Sequence, residues 1–123
     1  MALPARIKRD VPRPKREPRP GDSRAHLAWL KTLSCVICGI RADDPHHLLG
    51  NLDGLPKGMG RKNEDRWAVP VCRRHHDAAH AAGDDESWFT GQGVDARALA
   101  AGLWRVTGDG DAGDRLIYRA RGR

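Results

Sequence analysis

The stretch WAVPVCRRHHDAAHAAG, residues 67–83, carries the strongest fold signal in this chain. WAVPVC is rich in β-favouring residues, which predicts a strand ending at Cys72, and its proline restricts that strand to an edge or bulged position. RRHHDAAHAAG predicts a helix that Gly83 closes. The helix carries three of the chain's six histidines, namely His75, His76 and His80.

A second histidine pair lies upstream in DPHHLLG, residues 44–50, so that five of the six histidines fall in the two stretches. HHLLG is short and apolar enough for a strand. Residues 51–66, rich in Gly and in Lys/Arg, form a loop before the second strand. With the tight turn SCVICGIRADDP at 34–45, the order is ββα, and helices capped by Ser23 and Asp95 flank it. We expect an α+β fold: a small ββα-metal core with a zinc knuckle and flanking helices.

The three cysteines predict a metal site rather than disulfides. Cys35 and Cys38 have the C-x2-C spacing of a zinc knuckle, and the chain shows no secretory signal that would favour disulfides. Zinc takes four tetrahedral ligands, and three Cys with one His is a common structural set. Cys72 and His75 are three residues apart at the start of the helix and face the same way. We therefore predict a structural Zn2+ held by Cys35, Cys38, Cys72 and His75.

The remaining histidines predict a second site. His76 and His80 are four apart on one helix and share a face, whereas His75 points about 100° away from His76. The strand pair His46 and His47 is the nearest source of a further imidazole. Adjacent strand residues point to opposite faces, so one of the two should bind the metal while its neighbour becomes a candidate general base. His26 has no partner at useful spacing, and we interpret it as a surface or supporting residue.

Length and charge divide the chain into three parts. Residues 1–22 form a basic, proline-rich arm that predicts disorder: the first 20 residues hold seven Lys/Arg against two acidic residues, or +5 of the formal +6 charge. Such an arm attracts phosphate backbones without reading sequence. Residues 23–106 are the folded domain. Residues 107–123 are an extension in which RLIYRA is compatible with a short last strand. The acidic run at 84–86 is typical of a solvated turn.

The elements CVIC, PHHL, WAVPVC and RRHH, in this order, resemble the HNH or His-Me finger nucleases, and especially small nucleases of phages and prophages. The resemblance covers about residues 24–105 and implies a metal-dependent endonuclease that hydrolyses phosphodiester bonds. It implies that His47 is the general base and that His46, His76 and His80 hold a catalytic divalent metal (Zn, Ni, Mn, Co or Mg). Imidazole ligands favour the transition metals over Mg.

The sequence departs from the family at the middle Asn, which orients the base in other members. The matching position, five residues before Cys72, is Trp67, which cannot play that part. Asn51, Asn63 and Asp65 are the alternatives, and we favour Asp65. A carboxylate or amide there accepts the other N–H of the base and fixes its tautomer.

The expected partner is nucleic acid, with DNA favoured over RNA, and a phage or recombination protein is a further expected partner. The loop before the second strand and the start of the helix carry cations that suit a phosphate backbone, namely Lys57, Arg61, Lys62, Arg66 and Arg73. No stretch is long and apolar enough for a membrane span, and the absence of a secretion signal predicts a cytoplasmic protein of a bacterial host. The alternative function is a non-catalytic, zinc-stabilised nucleic-acid-binding module, which leaves His46, His47, His76 and His80 without a role.

Overall fold

The computed structural model of the chain describes residues 21–52 and 62–122. The predicted arm up to residue 20 and the loop residues 53–61 lie outside this part. Within it, five helices surround a two-stranded sheet, which confirms the expected mixture of helices with a small sheet. The elements are α1 (Arg24–Leu30), β1 (Asp44–His47), a 3-10 turn (Asp65–Trp67), β2 (Ala68–Val71), α2 (Arg73–Ala81), α3 (Asp85–Gly91), α4 (Ala96–Arg105) and α5 (Gly110–Gly122).

The two strands are antiparallel, and their register pairs Asp44 with Val71 and His47 with Ala68. β1 begins two residues before the predicted segment HHLLG. Each strand is an edge of this small sheet, so Pro70 removes no hydrogen bond that a central strand would need. β2 is buried along its whole length and passes through Cys72 directly into α2. The sheet thus holds the histidines of β1 beside the helix that carries the others.

The helix boundaries follow the predicted capping residues. The Ser23 hydroxyl accepts a hydrogen bond from the His26 amide at 3.3 Å, and the Asp95 carboxylate accepts one from the Ala98 amide at 3.1 Å. α2 ends just before Gly83, whose φ of +79° lies in the left-handed region that glycine tolerates best.

Helices α1, α4 and α5 enclose a core around the buried face of β2. α4 packs against both β2 and α5, and α1 packs against β2. Side chains with no more than 1% exposure fill the space between them, among them Leu30, Val69, Phe89, Leu103 and Ile117. No helix in the described ranges is long and apolar enough to span a bilayer. The core therefore supports the sheet, and the histidines of β1 and α2 range from the fully buried His46 to the exposed His80.

The compatibility of RLIYRA with a strand was wrong, because the segment lies inside helix α5. The Asp109 side chain accepts a hydrogen bond from the Ala112 amide at 3.0 Å and caps the helix start. Leu116, Ile117 and Ala120 then recur at helical spacing and pack against the core. Basic residues in the last turn complement the helix dipole.

Candidate metal centre

The four residues of the predicted zinc set lie together. The C-x2-C turn lies between α1 and β1, and the Val36 amide donates to the Pro70 carbonyl at 3.0 Å, which fixes the turn against β2. Cys38 Sγ is 3.8 Å from Cys72 Sγ, and His75 Nδ1 is 3.2 Å from Cys72 Sγ and 3.7 Å from Cys35 Sγ. A tetrahedral ion with metal–sulfur distances of about 2.3 Å separates its sulfur ligands by about 3.8 Å. Cys35, Cys38, Cys72 and His75 therefore form a cluster that can hold a metal ion.

The surroundings of this cluster shift the pKa values of Cys35, His75 and Cys38. Burial raises the pKa of the Cys35 thiol, but amide donors from Cys38, Cys72 and Ile37 outweigh it, and the net pKa is lowered. Burial, followed by the charge of Arg74, lowers the pKa of His75. Burial together with the neighbouring thiols raises the pKa of Cys38. Deprotonated sulfurs this close together would repel one another. A bound cation would offset that repulsion, because metal binding displaces the thiol protons.

His46, His76 and His80 form a second cluster, in which one ring nitrogen from each lies within 4.8 Å of the others. The Nε2 atoms of His76 and His80 are 3.0 Å apart. His46 is fully buried, and its Nδ1 has no hydrogen-bond partner within the described part of the chain. A tetrahedral ion with metal–nitrogen distances of about 2.0–2.1 Å separates its nitrogen ligands by about 3.3 Å. The unpartnered nitrogen and the close pair fit the ligand set of one divalent ion.

Two carboxylates hold the rings of this second cluster. Asp85 Oδ2 accepts from His46 Nε2 at 2.7 Å and from the Leu49 amide at 2.9 Å. Burial raises the pKa of Asp85, but these two donors outweigh it, and the net pKa is lowered. The interpretation of residues 84–86 as a solvated turn is therefore wrong for Asp85, which is 2% exposed. Its neighbour Asp84 caps α3 and lets Asp85 enter the first turn facing β1.

Asp44 holds the second ring. Its Oδ2 lies 3.4 Å from His76 Nδ1 and accepts from Arg73 at 3.1 Å. Partial desolvation raises the pKa of Asp44, yet hydrogen bonds from Arg73 and His76 outweigh it and lower the pKa overall. With Nδ1 of His76 facing the carboxylate, its Nε2 is directed at His80.

His47 faces a different partner from His46, as alternation along a strand requires. Its Nε2 is 2.8 Å from Asp65 Oδ1, while Asp65 Oδ2 accepts from the Ser23 amide at 2.6 Å. The structure thus pairs His47 with Asp65, the favoured one of the three orienting candidates. Asn63 instead donates to the Leu48 and Gly50 carbonyls and fastens the loop, and Asn51 is exposed.

Of the five predicted nucleic-acid-binding residues, the three that the structure describes lie in different environments. Lys57 and Arg61 lie outside the described residues, and Lys62 is exposed. Arg66 donates to Glu64 at 3.0 Å and lies 4.9 Å above the ring of Trp67. The exposed Arg73 pairs with Asp44, beside the three-histidine cluster.

Of the two alternatives for His26, a surface or a supporting residue, the first was wrong, since His26 is fully buried. Its ring packs edge-on against Trp104 with centroids 4.8 Å apart, and its Nδ1 lies 2.7 Å from the Thr107 hydroxyl. Burial lowers the pKa of His26, and the negative charge of Asp65 offsets this only in part. His26 is therefore a supporting residue of the core.

Sequence reasoning missed Asp85 and Asp44. Asp44 stands two residues before His46, and residues i and i+2 of a strand share a face, so a signal was present in DPHH. For Asp85 the sequence offers no comparable signal, since its partner on β1 is 39 residues away. The packing of α3 against α2 and α4 brings this carboxylate to the histidines.

Comparison with known proteins places the chain in a family. A family model described as "Protein of unknown function (DUF968)" matches residues 9–103. The chain belongs to the DUF968 family. A relative of this DUF968 protein, "Uncharacterized protein YdfU" of Escherichia coli (strain K12), is 47% identical over 55 residues. The match covers 45% of this chain and only 15% of that relative's length. No solved structure matches the chain.

Proposed function

We propose that this DUF968 protein is a metal-dependent HNH-type (His-Me finger) endonuclease that hydrolyses phosphodiester bonds in DNA and is encoded by a phage or prophage. One observation carries the proposal: neighbouring residues of β1 have different chemical partners. Each ring has a carboxylate on one nitrogen, Asp85 for His46 and Asp65 for His47, but only His46 of the two also lies in a three-imidazole cluster. A histidine pair that only stabilised the fold would not need two such different sets of partners.

His47 acts as the general base. Because its Nε2 donates to Asp65, the lone pair for proton transfer lies on Nδ1. The imidazole takes a proton from a water molecule that attacks phosphorus in line with the leaving oxygen. Asp65 stabilises the imidazolium that forms and is itself fixed by the Ser23 amide. Asp65 thus takes the place of the Asn that orients the base in the HNH nucleases.

His46, His76 and His80 hold the catalytic divalent metal, for which the fit rests on the unpartnered His46 Nδ1 and the close Nε2 pair. When bound, the ion supplies charge stabilisation at the phosphate and the leaving oxygen. Neutral imidazoles suit Zn, Ni, Co or Mn better than Mg. The Cys35, Cys38, Cys72 and His75 cluster holds a structural Zn2+ in a zinc knuckle, which completes a ββα-metal core.

Substrate binding falls to cations near this site. Lys62, Arg66 and Arg73 are partly or fully exposed, and Arg73 starts the helix that carries the metal-binding histidines. Lys57 and Arg61 belong to the same proposed set. Contacts of this kind position a phosphate backbone without reading its sequence.

Cleavage of supercoiled plasmid DNA tests the proposal. Wild type, His47→Ala and Asp65→Asn are incubated with Mg, Mn, Ni or Zn, and with EDTA. We expect wild type to nick or linearise the plasmid with a divalent metal and to stop in EDTA. His47→Ala should slow cleavage by about 100-fold or more, the usual contribution of a general base. Asp43→Asn removes a carboxylate that is 67% exposed and serves as the control for Asp65→Asn.

The alternative, a non-catalytic zinc-stabilised nucleic-acid-binding module, is favoured by the Cys3His cluster alone. The same samples distinguish the two. If wild type shifts DNA in a gel but cuts it with none of the metals, the binding module is the better account. Cleavage that is equal in wild type and His47→Ala would instead remove His47 from the role of base.

A further inference from the structure

We propose that Asp85 is a positioning residue of the three-histidine cluster: it holds a proton on His46 Nε2 and thereby makes Nδ1 the metal-binding atom. The inference rests on the proposed metal site and deepens it. It assigns a role to a residue on α3, a helix outside the strand, loop and α2 that supply the site's other groups.

The geometry around Asp85 fixes its carboxylate. Oδ2 receives two donors, His46 Nε2 at 2.7 Å and the Leu49 amide at 2.9 Å, and these come from β1 and the residues just after it. Both side chains of the pair are no more than 2% exposed. Water therefore does not compete for this hydrogen bond, and a charged acceptor makes it a strong one.

The contact determines the tautomer of His46. An ionised carboxylate only accepts hydrogen bonds, so Nε2 must carry the proton, and a neutral ring then has its lone pair on Nδ1. That Nδ1 is buried without a hydrogen-bond partner in the described structure. The ring lies edge-on to His76 and His80, with centroid separations of 5.2 Å and 4.9 Å. A buried nitrogen lone pair without a hydrogen-bond partner is an unfavourable arrangement unless a cation accepts it.

Asp85 acts more strongly than the other carboxylate of the cluster. Asp44 lies 3.4 Å from His76, is 25% exposed and also binds Arg73, so its charge is shared and solvated. The Asp85 contact is shorter and dry. Carboxylates behind metal-binding histidines raise ligand basicity, and their loss costs about 10–100-fold in metal affinity. We expect loss of the Asp85 carboxylate to weaken metal affinity by a factor in this range.

The first test is metal affinity. Full-length protein with its structural zinc bound is titrated with Co2+ by calorimetry, for wild type, Asp85→Asn and Asp84→Asn. Asp84→Asn makes the same change one residue away, and asparagine still caps α3. We expect Asp85→Asn to raise the dissociation constant by about 10–100-fold and Asp84→Asn to leave it unchanged. Equal affinities for wild type and a folded Asp85→Asn would overturn the proposal.

The second test needs no variant and so does not depend on whether Asp85→Asn folds. Long-range 1H–15N spectra of the imidazoles report which ring nitrogen of His46 is protonated before Co2+ is added. We expect the Nε2–H tautomer in wild type, with the Nε2 proton shifted downfield by its carboxylate partner. A His46 found as the Nδ1–H tautomer would overturn the proposal.

These results separate the inference from the proposed function. A protein that binds Co2+ in an Asp85-dependent way but never cuts DNA retains the inference and loses the nuclease. Conversely, metal-dependent cleavage by a protein in which Asp85→Asn binds Co2+ as tightly as wild type retains the nuclease and rejects the role of Asp85.

Discussion

At the scale of single residues, the chemistry of each histidine follows from the group that faces its second ring nitrogen. His46 and His47 each face a carboxylate, which suits a ring that binds a cation or becomes one. His26 faces a hydroxyl instead. The Thr107 hydroxyl donates to the Trp104 carbonyl at 2.8 Å and therefore accepts from His26 Nδ1–H. This arrangement suits a ring that stays neutral in the core.

The buried His26 predicts a pH dependence of stability. Burial lowers its pKa, so below the unfolded value of about 6.5 the unfolded chain binds a proton that the folded chain refuses. Its contribution to stability is present above that value and is lost as the pH falls toward the folded pKa. For one proton the slope is at most about 1.4 kcal/mol per pH unit. Urea unfolding of wild type and His26→Gln at pH 7.5, 6.5 and 5.5 measures the effect.

His26→Gln keeps a hydrogen-bond donor for Thr107 but does not titrate, so the other histidines cancel in the comparison. We expect the stability advantage of wild type to shrink as the pH falls. A constant advantage would mean that folding does not change the pKa of His26, and a growing one that the folded core binds the proton more tightly than the unfolded chain; either result would contradict the prediction.

At the scale of elements, the success of prediction depended on whether the signal was local. Ser23, Asp95 and Gly83 mark helix ends through contacts within a few residues, and these boundaries were predicted. The helical conformation of RLIYRA is stabilised by packing against α4 and the core, which the alternation of its own side chains does not report. Likewise, the adjacent histidines in DPHH predicted a different role for each ring. They did not predict that Asp85 of α3 would accept a hydrogen bond from His46.

The close approach of α5 to α1 gives a prediction about an element. A Cβ at Gly113 would lie 2.8 Å from Trp29 Cζ2 and 3.2 Å from Leu33 Cδ1, so the helix depends on glycine there. We expect Gly113→Val to destabilise the protein by about 1–3 kcal/mol through overpacking. Gly110, in the first turn of the same helix, has open space around its Cβ direction, and Gly110→Val is the matched control.

Denaturant midpoints of the two variants show whether overpacking at Gly113 causes the loss of stability. A similar loss in both would mean that it does not come from the contacts with Trp29 and Leu33, since valine has a higher helix propensity than glycine. A loss confined to Gly113→Val would mean that α5 is held against α1 at this point.

At the scale of the whole molecule, α2 connects two clusters of different character. Its first turn gives His75 to the Cys3His cluster, and its next residues give His76 and His80 to the other. The first cluster joins the C-x2-C turn to the junction of β2 and α2 and includes the buried Cys35 and Cys72, whereas the second includes the exposed His80. Loss of a metal should therefore unfold the protein at one cluster and leave it folded at the other.

Metal content and thermal stability of Cys72→Ser and His80→Ala test this asymmetry. We expect wild type to bind two divalent ions and His80→Ala to bind one, with a stability change within about 0.5 kcal/mol because His80 is exposed. Cys72→Ser should lower the melting temperature by roughly 10 °C or more, since structural zinc contributes directly to folding free energy. A stable Cys72→Ser with unchanged metal content would make the cysteines ordinary thiols. Two ions in His80→Ala would place the second metal elsewhere, and with it the chemistry proposed for His47.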